Sequence, residues 1–163
     1  MSDRTIQGAE SNYSGQMLER VIEEEFSRRK VPVFQYSETG DNGDLFEPRF
    51  LLRSVPYKSI YGCHSRSEFL YRDFPFDIDI RIECRWQQVG GSVDEKMPYL
   101  FLNATEAMPE RIVWLVLDGG GARSEAIEWL HRRASQQSAK TIRVMGLAET
   151  RQRIKLLLEK GAP

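Results

Sequence analysis

The stretch Ile78-Asp79-Ile80-Arg81-Ile82-Glu83-Cys84-Arg85-Trp86 alternates without a break. Residues 78, 80, 82, 84 and 86 are apolar and face one way, while Asp79, Arg81, Glu83 and Arg85 face the other, which is the period of a β-strand. A strand inside a compact sheet places four charges on one face only where that face meets water or a ligand, because a buried unpaired charge is strongly unfavourable. The plainest reading is an edge hairpin with a solvated face and cross-strand ion pairs.

Ser67–Tyr71 (SEFLY) reads as a short strand and RDFPFD (72–77) as a proline-bearing turn, so that 67–71 and 78–86 form an antiparallel hairpin. Downstream, Gly90-Gly91 precedes Ser92-Val93-Asp94-Glu95, a capping box that opens a helix expected to reach about Ala107, with Pro98 against its regularity. RIVWLVL (111–117) is the continuous apolar run of a strand buried on both faces. A turn at Asp118–Gly121, an amphipathic helix over 124–137, a strand over 141–145 and a closing helix follow.

Upstream, Met17, Leu18, Val21, Ile22 and Phe26 recur at helical spacing behind Ser14, a plausible N-cap, and Arg28-Arg29-Lys30 suits the helix C-terminus. VPVFQY (31–36) reads as a strand with Pro32 marking its start or a sheet edge. TGDNGD (39–44) is a turn cluster, and 45–62, broken by Pro48 and Pro56, is expected to be a loop with short extended pieces covering a sheet edge. Residues 1–13 are expected to be a disordered tail and 14–163 one domain. The fold class is α/β, a mixed central sheet flanked by helices.

A chain of 163 residues fits one domain, and 23 Lys plus Arg against 24 Asp plus Glu give a net charge of −1. That balance excludes a polycationic tail and an acidic disordered activator. The charge is nevertheless sorted: −4 over residues 1–50, −2 over 51–110 and +5 over 111–163. The basic third holds Arg132, Arg133, Lys140, Arg143, Arg151, Arg153 and Lys155, which form either a phosphate-tracking surface or solvated helix faces. No secretory h-region and no membrane-spanning apolar stretch is read, and Cys63 and Cys84 make neither a disulfide framework nor a zinc finger, so the expectation is cytoplasmic, with no membrane partner. Asp118-Gly-Gly-Gly lacks a third fingerprint glycine and a Walker lysine and reads as a tight turn. His64 and His131 have no Ser/His/Asp context.

The chemistry-bearing residues are carboxylates. Glu68 lies on the first hairpin arm and Glu83 on the second, with the cation Arg85 two residues on; Glu19 lies on the first helix, and Trp86-Gln87 leads to a helix whose first turn carries Glu95 and Lys96. Carboxylates gathered from two strands and a helix are what a hard divalent cation such as Mg²⁺ requires. With a cation beside them, they are the set that phosphodiester hydrolysis uses.

Glu68, followed on the next strand by Glu83-Cys84-Arg85, resembles the PD-(D/E)XK nuclease superfamily, with its restriction-endonuclease-like fold. Glu83-Cys-Arg-Trp-Gln87-x-x-Gly-Gly-Ser92-x-x-Glu-Lys96 and the later IVWLVLDGGG…AIEWL are similar to one bacterial and phage branch. Gly15-Gln-Met-Leu-Glu19-Arg20 is similar to the opening helix of archaeal Holliday-junction resolvases. The resemblance covers roughly 15–155. It implies that Glu68 and Glu83 are metal ligands with the Cys84 carbonyl, that Glu19 reaches in directly or through water, and that Gln87 supports the site.

The second acid is open between Glu68, Asp77 and Asp79. Glu68 is preferred because it converges on Glu83 across the ladder, whereas an acid four residues earlier on the same strand sits about 13 Å away; Asp79 is the reserve metal ligand. Arg85 stands where the superfamily has lysine; a guanidinium stays protonated, so it can stabilise charge but cannot accept a proton. Lys96 either supplies the displaced ammonium or contacts a phosphate.

The resemblance implies a Mg²⁺-dependent DNA endonuclease (Mn²⁺ being possible) of phage, mobile-element or defence type. Its partners would be double-stranded or branched DNA and a second copy, as a homodimer or homotetramer. The alternatives are a nuclease-fold DNA-binding protein with weakened cleavage and a structure-selective junction resolvase.

Overall fold

The structure is a computed structural model, and it describes residues 3–39, 47–86 and 93–161. The expected turn from Gly40 on, Gln87, and the Gly90–Ser92 cap lie outside the described residues.

Among the described residues, six strands form one mixed sheet in the order β1-β2-β3-β4-β5-β6. They are β1 (Val33–Gln35), β2 (Arg49–Lys58), β3 (His64–Asp73), β4 (Ile78–Trp86), β5 (Ile112–Asp118) and β6 (Thr141–Met145). The β2–β3 and β3–β4 pairs are antiparallel, and β1–β2, β4–β5 and β5–β6 are parallel. Helices α1 (Asp3–Arg28), α2 (Tyr36–Thr39), α3 (Val93–Leu102), α4 (Ser124–Ser135) and α5 (Leu147–Lys160) accompany them among the described residues.

The core follows the sequence pattern. Leu18, Ile22 and Phe26 of α1 and Ile154 and Leu157 of α5 pack on Ile80, Ile82 and Cys84 of β4 and on Trp114 and Val116 of β5. On the opposite face Val113 and Leu115 meet Met97, Leu100 and Phe101 of α3 and Leu130 of α4. Strand β5 is therefore buried on both faces, as its unbroken apolar run requires. Burying each such side chain stabilises the fold by about 1.5–3 kcal/mol.

Three expectations are corrected. Residues 45–62 are not a covering loop: Arg49–Lys58 is a full strand between β1 and β3. Pro56 is tolerated because β1 pairs only with Leu51–Arg53, so at Pro56 no strand on that side needs an N–H. Helix α1 begins at Asp3, within the stretch expected to be disordered, because a helix anchored by Leu18, Ile22 and Phe26 elongates at one hydrogen bond per added residue. Strand β4 is central rather than an edge, and its charged face is solvated only at its two ends: Arg81 and Glu83 are 2% and 1% exposed, while the side chains of Asp79 and Arg85 stay open at 44% and 50%.

Smaller differences lie at element ends. The first hairpin arm runs His64–Asp73, and its turn is a 3₁₀ segment (Phe74–Phe76) closed by Asp77 at φ 53°. Helix α3 stops at Leu102 and passes into a π-helical turn over Asn103–Ala107.

The feature that positions the site is a fork in the sheet. Strands β3 and β4 pair from Asp73–Ile78 to Phe69–Ile82 and no further. Beyond that point β3 stays with β2 through the Lys58–His64 pair, while β4 stays with β5 through Trp86–Asp118. Ser54, left-handed at φ 54°, falls in β2 beside the fork. Arg81 fills its base: Nη1 donates to the Ser67 hydroxyl (2.9 Å) and the Val55 carbonyl (3.2 Å), while Nε and Nη2 hold Glu110 at 2.5 and 2.6 Å.

Candidate active site

Glu68 and Glu83 are the first residues past the last β3–β4 pair. The Cys84 N–H has no β3 carbonyl to meet and donates instead to Glu68 Oε2 at 2.8 Å. One oxygen of Glu68 is thereby fixed by the backbone. The other, Oε1, lies 3.3 Å from Arg85 Nη1, which also donates to the Cys84 carbonyl at 2.8 Å. Arg85 Nη2 donates to Glu83 Oε1. One guanidinium thus bridges three oxygens: two carboxylates and a main-chain carbonyl. Glu83 Oε2 is buried with no hydrogen-bond partner.

Burial, reinforced by the adjoining Glu68 carboxylate, pushes the Glu83 carboxyl up to about 8, against the pull of Arg85 and Arg81. Glu19 is half-buried on α1 and is also raised, first by burial and then by Glu68. The Cys84 thiol is pushed well up by burial and by the same three acids, so this cysteine is an inert packing group rather than a nucleophile.

Two cavities flank the cluster. One, of about 490 Å³, is polar and lined by Glu19, Glu23, Arg53, Arg66 and Glu68 among others. The other, of about 320 Å³, lies in the fork: Tyr57 and Ser65 from the β2–β3 arm face Glu83, Arg85 and Trp86 of β4, with Lys96, Tyr99 and Asn103 from α3 and the π turn.

Of the residues singled out in the sequence, Glu68, Glu83, Cys84 and Arg85 form one cluster. Glu19 joins it across the polar cavity and Lys96 across the fork cavity. Asp79 is not brought in: it pairs with Arg72 at 3.4 Å near the start of β4, and Asp77 sits in the preceding turn. Gln87 is outside the described residues.

Several charges have structural partners. Glu25 binds Arg29 (2.6 Å) and Arg151 (2.7 Å); burial opposes its ionisation, but these hydrogen bonds prevail and hold its pKa low. Lys140 donates to the carbonyls of Ala104 and Met108. Asp118 accepts the N–H groups of Gly119 (2.7 Å) and Leu147 (3.0 Å), so the carboxylate at the end of β5 closes the glycine turn and caps α5. Sequence reasoning missed Tyr57 and Ser65, which the fork turns toward the cavity, and Tyr99 and Asn103, which α3 and the π turn bring to it. It also missed Glu110, whose one signal was an acid just ahead of an apolar strand.

The site contains donors suited to a divalent cation. Two carboxylates and a carbonyl already converge on a positive charge, and Glu83 keeps an unpartnered buried oxygen. Among the described residues, no group of three or more His, Cys, Asp or Glu is disposed to hold a metal ion. Any such ion would therefore rest on this mixed set of oxygens and retained waters, as Mg²⁺ commonly does. Among the described residues no helix is long and apolar enough to cross a membrane.

No curated protein and no solved structure matches the chain. The sequence model of the PD-(D/E)XK nuclease superfamily domain matches residues 10–155, a span that takes in the fork, both acids and every strand. On that match the chain belongs to the PD-(D/E)XK nuclease superfamily, and its mixed six-stranded sheet flanked by helices is of the corresponding fold.

Proposed function

We propose that the chain is a Mg²⁺- or Mn²⁺-dependent endonuclease acting on DNA in the cytoplasm, as one nuclease-like domain over residues 14–163. The observation that carries this reading is the convergence of Glu68, Glu83 and the Cys84 carbonyl on one cationic position at the fork. Those three groups would hold the metal. When bound, it would supply Lewis-acid activation of water and charge neutralisation on the phosphate.

The chain's own groups do the rest. The Cys84 N–H fixes the Glu68 carboxylate, so its free oxygen needs no reorganisation at the moment of reaction. Arg85, half exposed, is the cation for the non-bridging oxygens of the scissile phosphate. Lys96 approaches from the fork cavity, and Glu19 serves through water from the polar one. Gln87, next to Trp86 in sequence, is a supporting polar group in this reading. Cutting both strands of a duplex calls for a second copy, as a homodimer or homotetramer.

One observation favours a second reading. Arg85 already neutralises both acids from within, which suits a nuclease-fold protein that binds DNA with weakened cleavage. Supercoiled plasmid and a four-way junction incubated with Mg²⁺ or Mn²⁺ separate the two. Nicked or linear plasmid supports the endonuclease, a cut confined to the junction supports a structure-selective enzyme, and retarded but intact DNA supports the binder.

A further inference from the structure

The fork cavity ends in an aromatic platform that the hydrolytic cluster does not use. Tyr61, at the tip of the β2–β3 hairpin, is 74% exposed and stacks on Tyr99 of α3, with ring centroids 5.2 Å apart and planes at 22°. Tyr99 lines the cavity that also contains Glu83, Arg85 and Lys96.

The pair is held in place by a buried side chain. Asn103, 1% exposed in the π turn, accepts the Ile60 N–H at 3.0 Å and donates to the Tyr99 carbonyl at 2.9 Å. It therefore ties together the backbones that carry the two rings. The hairpin tip is further closed by Gly62 N–H to the Ser59 carbonyl (2.7 Å) and Ser59 N–H to the Cys63 carbonyl (2.9 Å). A large ring left in water on a pre-organised backbone, beside cations at a phosphodiesterase site, is the arrangement that binds an unstacked base.

We propose that the Tyr61–Tyr99 stack binds an unpaired nucleobase of the strand whose phosphate lies at Arg85 and Lys96, which makes the preferred substrate single-stranded, frayed or flipped rather than continuous duplex. The proposal rests on the nuclease reading and names its substrate class. In a continuous duplex both faces of every internal base are covered by its neighbours, so only an unpaired base can offer a π-face to Tyr61. Stacking is indifferent to the sugar, so a DNA strand and an RNA strand present the same chemistry. Asn103 acts as a positioning residue, through the rings it orients.

Binding of a labelled single-stranded 12-mer, as DNA and as RNA, and of the blunt DNA duplex is measured by anisotropy in EDTA, alongside Mg²⁺-dependent cleavage. Wild type is expected to prefer the single strand to the duplex. Tyr61→Ala is expected to weaken single-strand binding about 5- to 150-fold, the range of one base stacked on an aromatic ring, with duplex binding unchanged. Its thermal midpoint should stay put, because the ring is exposed, and Tyr61→Phe should restore binding. Asn103→Ala should weaken single-strand binding with Tyr61 present and have little further effect in Tyr61→Ala. The DNA and RNA arms decide which strand is the better ligand. Wild-type preference for blunt duplex, or unchanged single-strand binding in Tyr61→Ala, overturns the proposal even if Mg²⁺-dependent cleavage is found. Absence of cleavage with Tyr61-dependent single-strand binding overturns the nuclease reading and leaves the base site standing.

Discussion

The Glu68 carboxylate replaces a strand in the β-ladder: its Oε2 accepts the Cys84 N–H at 2.8 Å where β3 and β4 part. One side chain thus satisfies a main-chain donor that the fork would otherwise orphan, and presents its second oxygen to the site. Glu68→Ala should lower stability by about 1–3 kcal/mol, the cost of leaving a buried donor unpaired, besides removing cleavage. Glu68→Gln keeps an oxygen for that N–H and should recover most of the stability without the activity. Urea unfolding of the two variants checks the split; equal destabilisation would show that the Cys84 bond does not matter.

In the proposed reading, Arg85 and a divalent cation would compete for the same oxygens. Arg85→Gln removes the guanidinium that lies against Glu68, Glu83 and the Cys84 carbonyl. Calorimetric titration with Mn²⁺ should give at least tenfold tighter binding to Arg85→Gln than to wild type, with cleavage lost because the phosphate has no cation. Arg85→Lys should bind the ion tighter than wild type and keep cleavage. Weaker binding in Arg85→Gln would mean that the arginine helps to assemble the acids.

The pH response of metal-free protein follows from Glu83. Its folded-state pKa, up to about 8, lies above the ordinary 4.5, so its contribution to stability is fully present below pH 4.5 and is lost as pH rises through 8. Thermal midpoints in EDTA should therefore carry a Glu83-dependent fall between pH 5 and 8, and Glu83→Gln should remove it. Saturating Mn²⁺ should also reduce the fall, because a cation favours the carboxylate. An unchanged profile in Glu83→Gln would place the titration elsewhere.

The Arg81–Glu110 pair lies behind the site and is almost wholly buried. Glu110→Ala strands the guanidinium and should cost about 3–5 kcal/mol, a fall in melting midpoint of roughly 6–20 °C at this chain length. Arg81→Met combined with Glu110→Leu should recover much of that loss, which differential scanning calorimetry reads directly.

Much of this was legible because local pattern and tertiary role agree. The alternation of 78–86 and the apolar run of 111–117 give β4 and β5 their identity, and Glu68, Glu83 and Arg85 are near enough in sequence for a hairpin to gather them. Strand β2 was hidden by Pro56, whose missing N–H is harmless only because β1 is short. The charged face of β4 read as solvated because the partner that neutralises Arg81 is 29 residues away, beyond any local pattern. The tyrosine stack depends on the fork bringing a hairpin tip onto α3, a contact that no periodicity encodes.

The most direct test compares wild type with Glu83→Ala on supercoiled plasmid and a partly single-stranded DNA, with Mg²⁺ or Mn²⁺ and with EDTA. Wild type should cut in metal and not in EDTA, and Glu83→Ala should bind the same DNA without cutting it. Cleavage that survives Glu83→Ala, or proceeds in EDTA, would contradict a metal-assisted hydrolytic site at the β3–β4 fork.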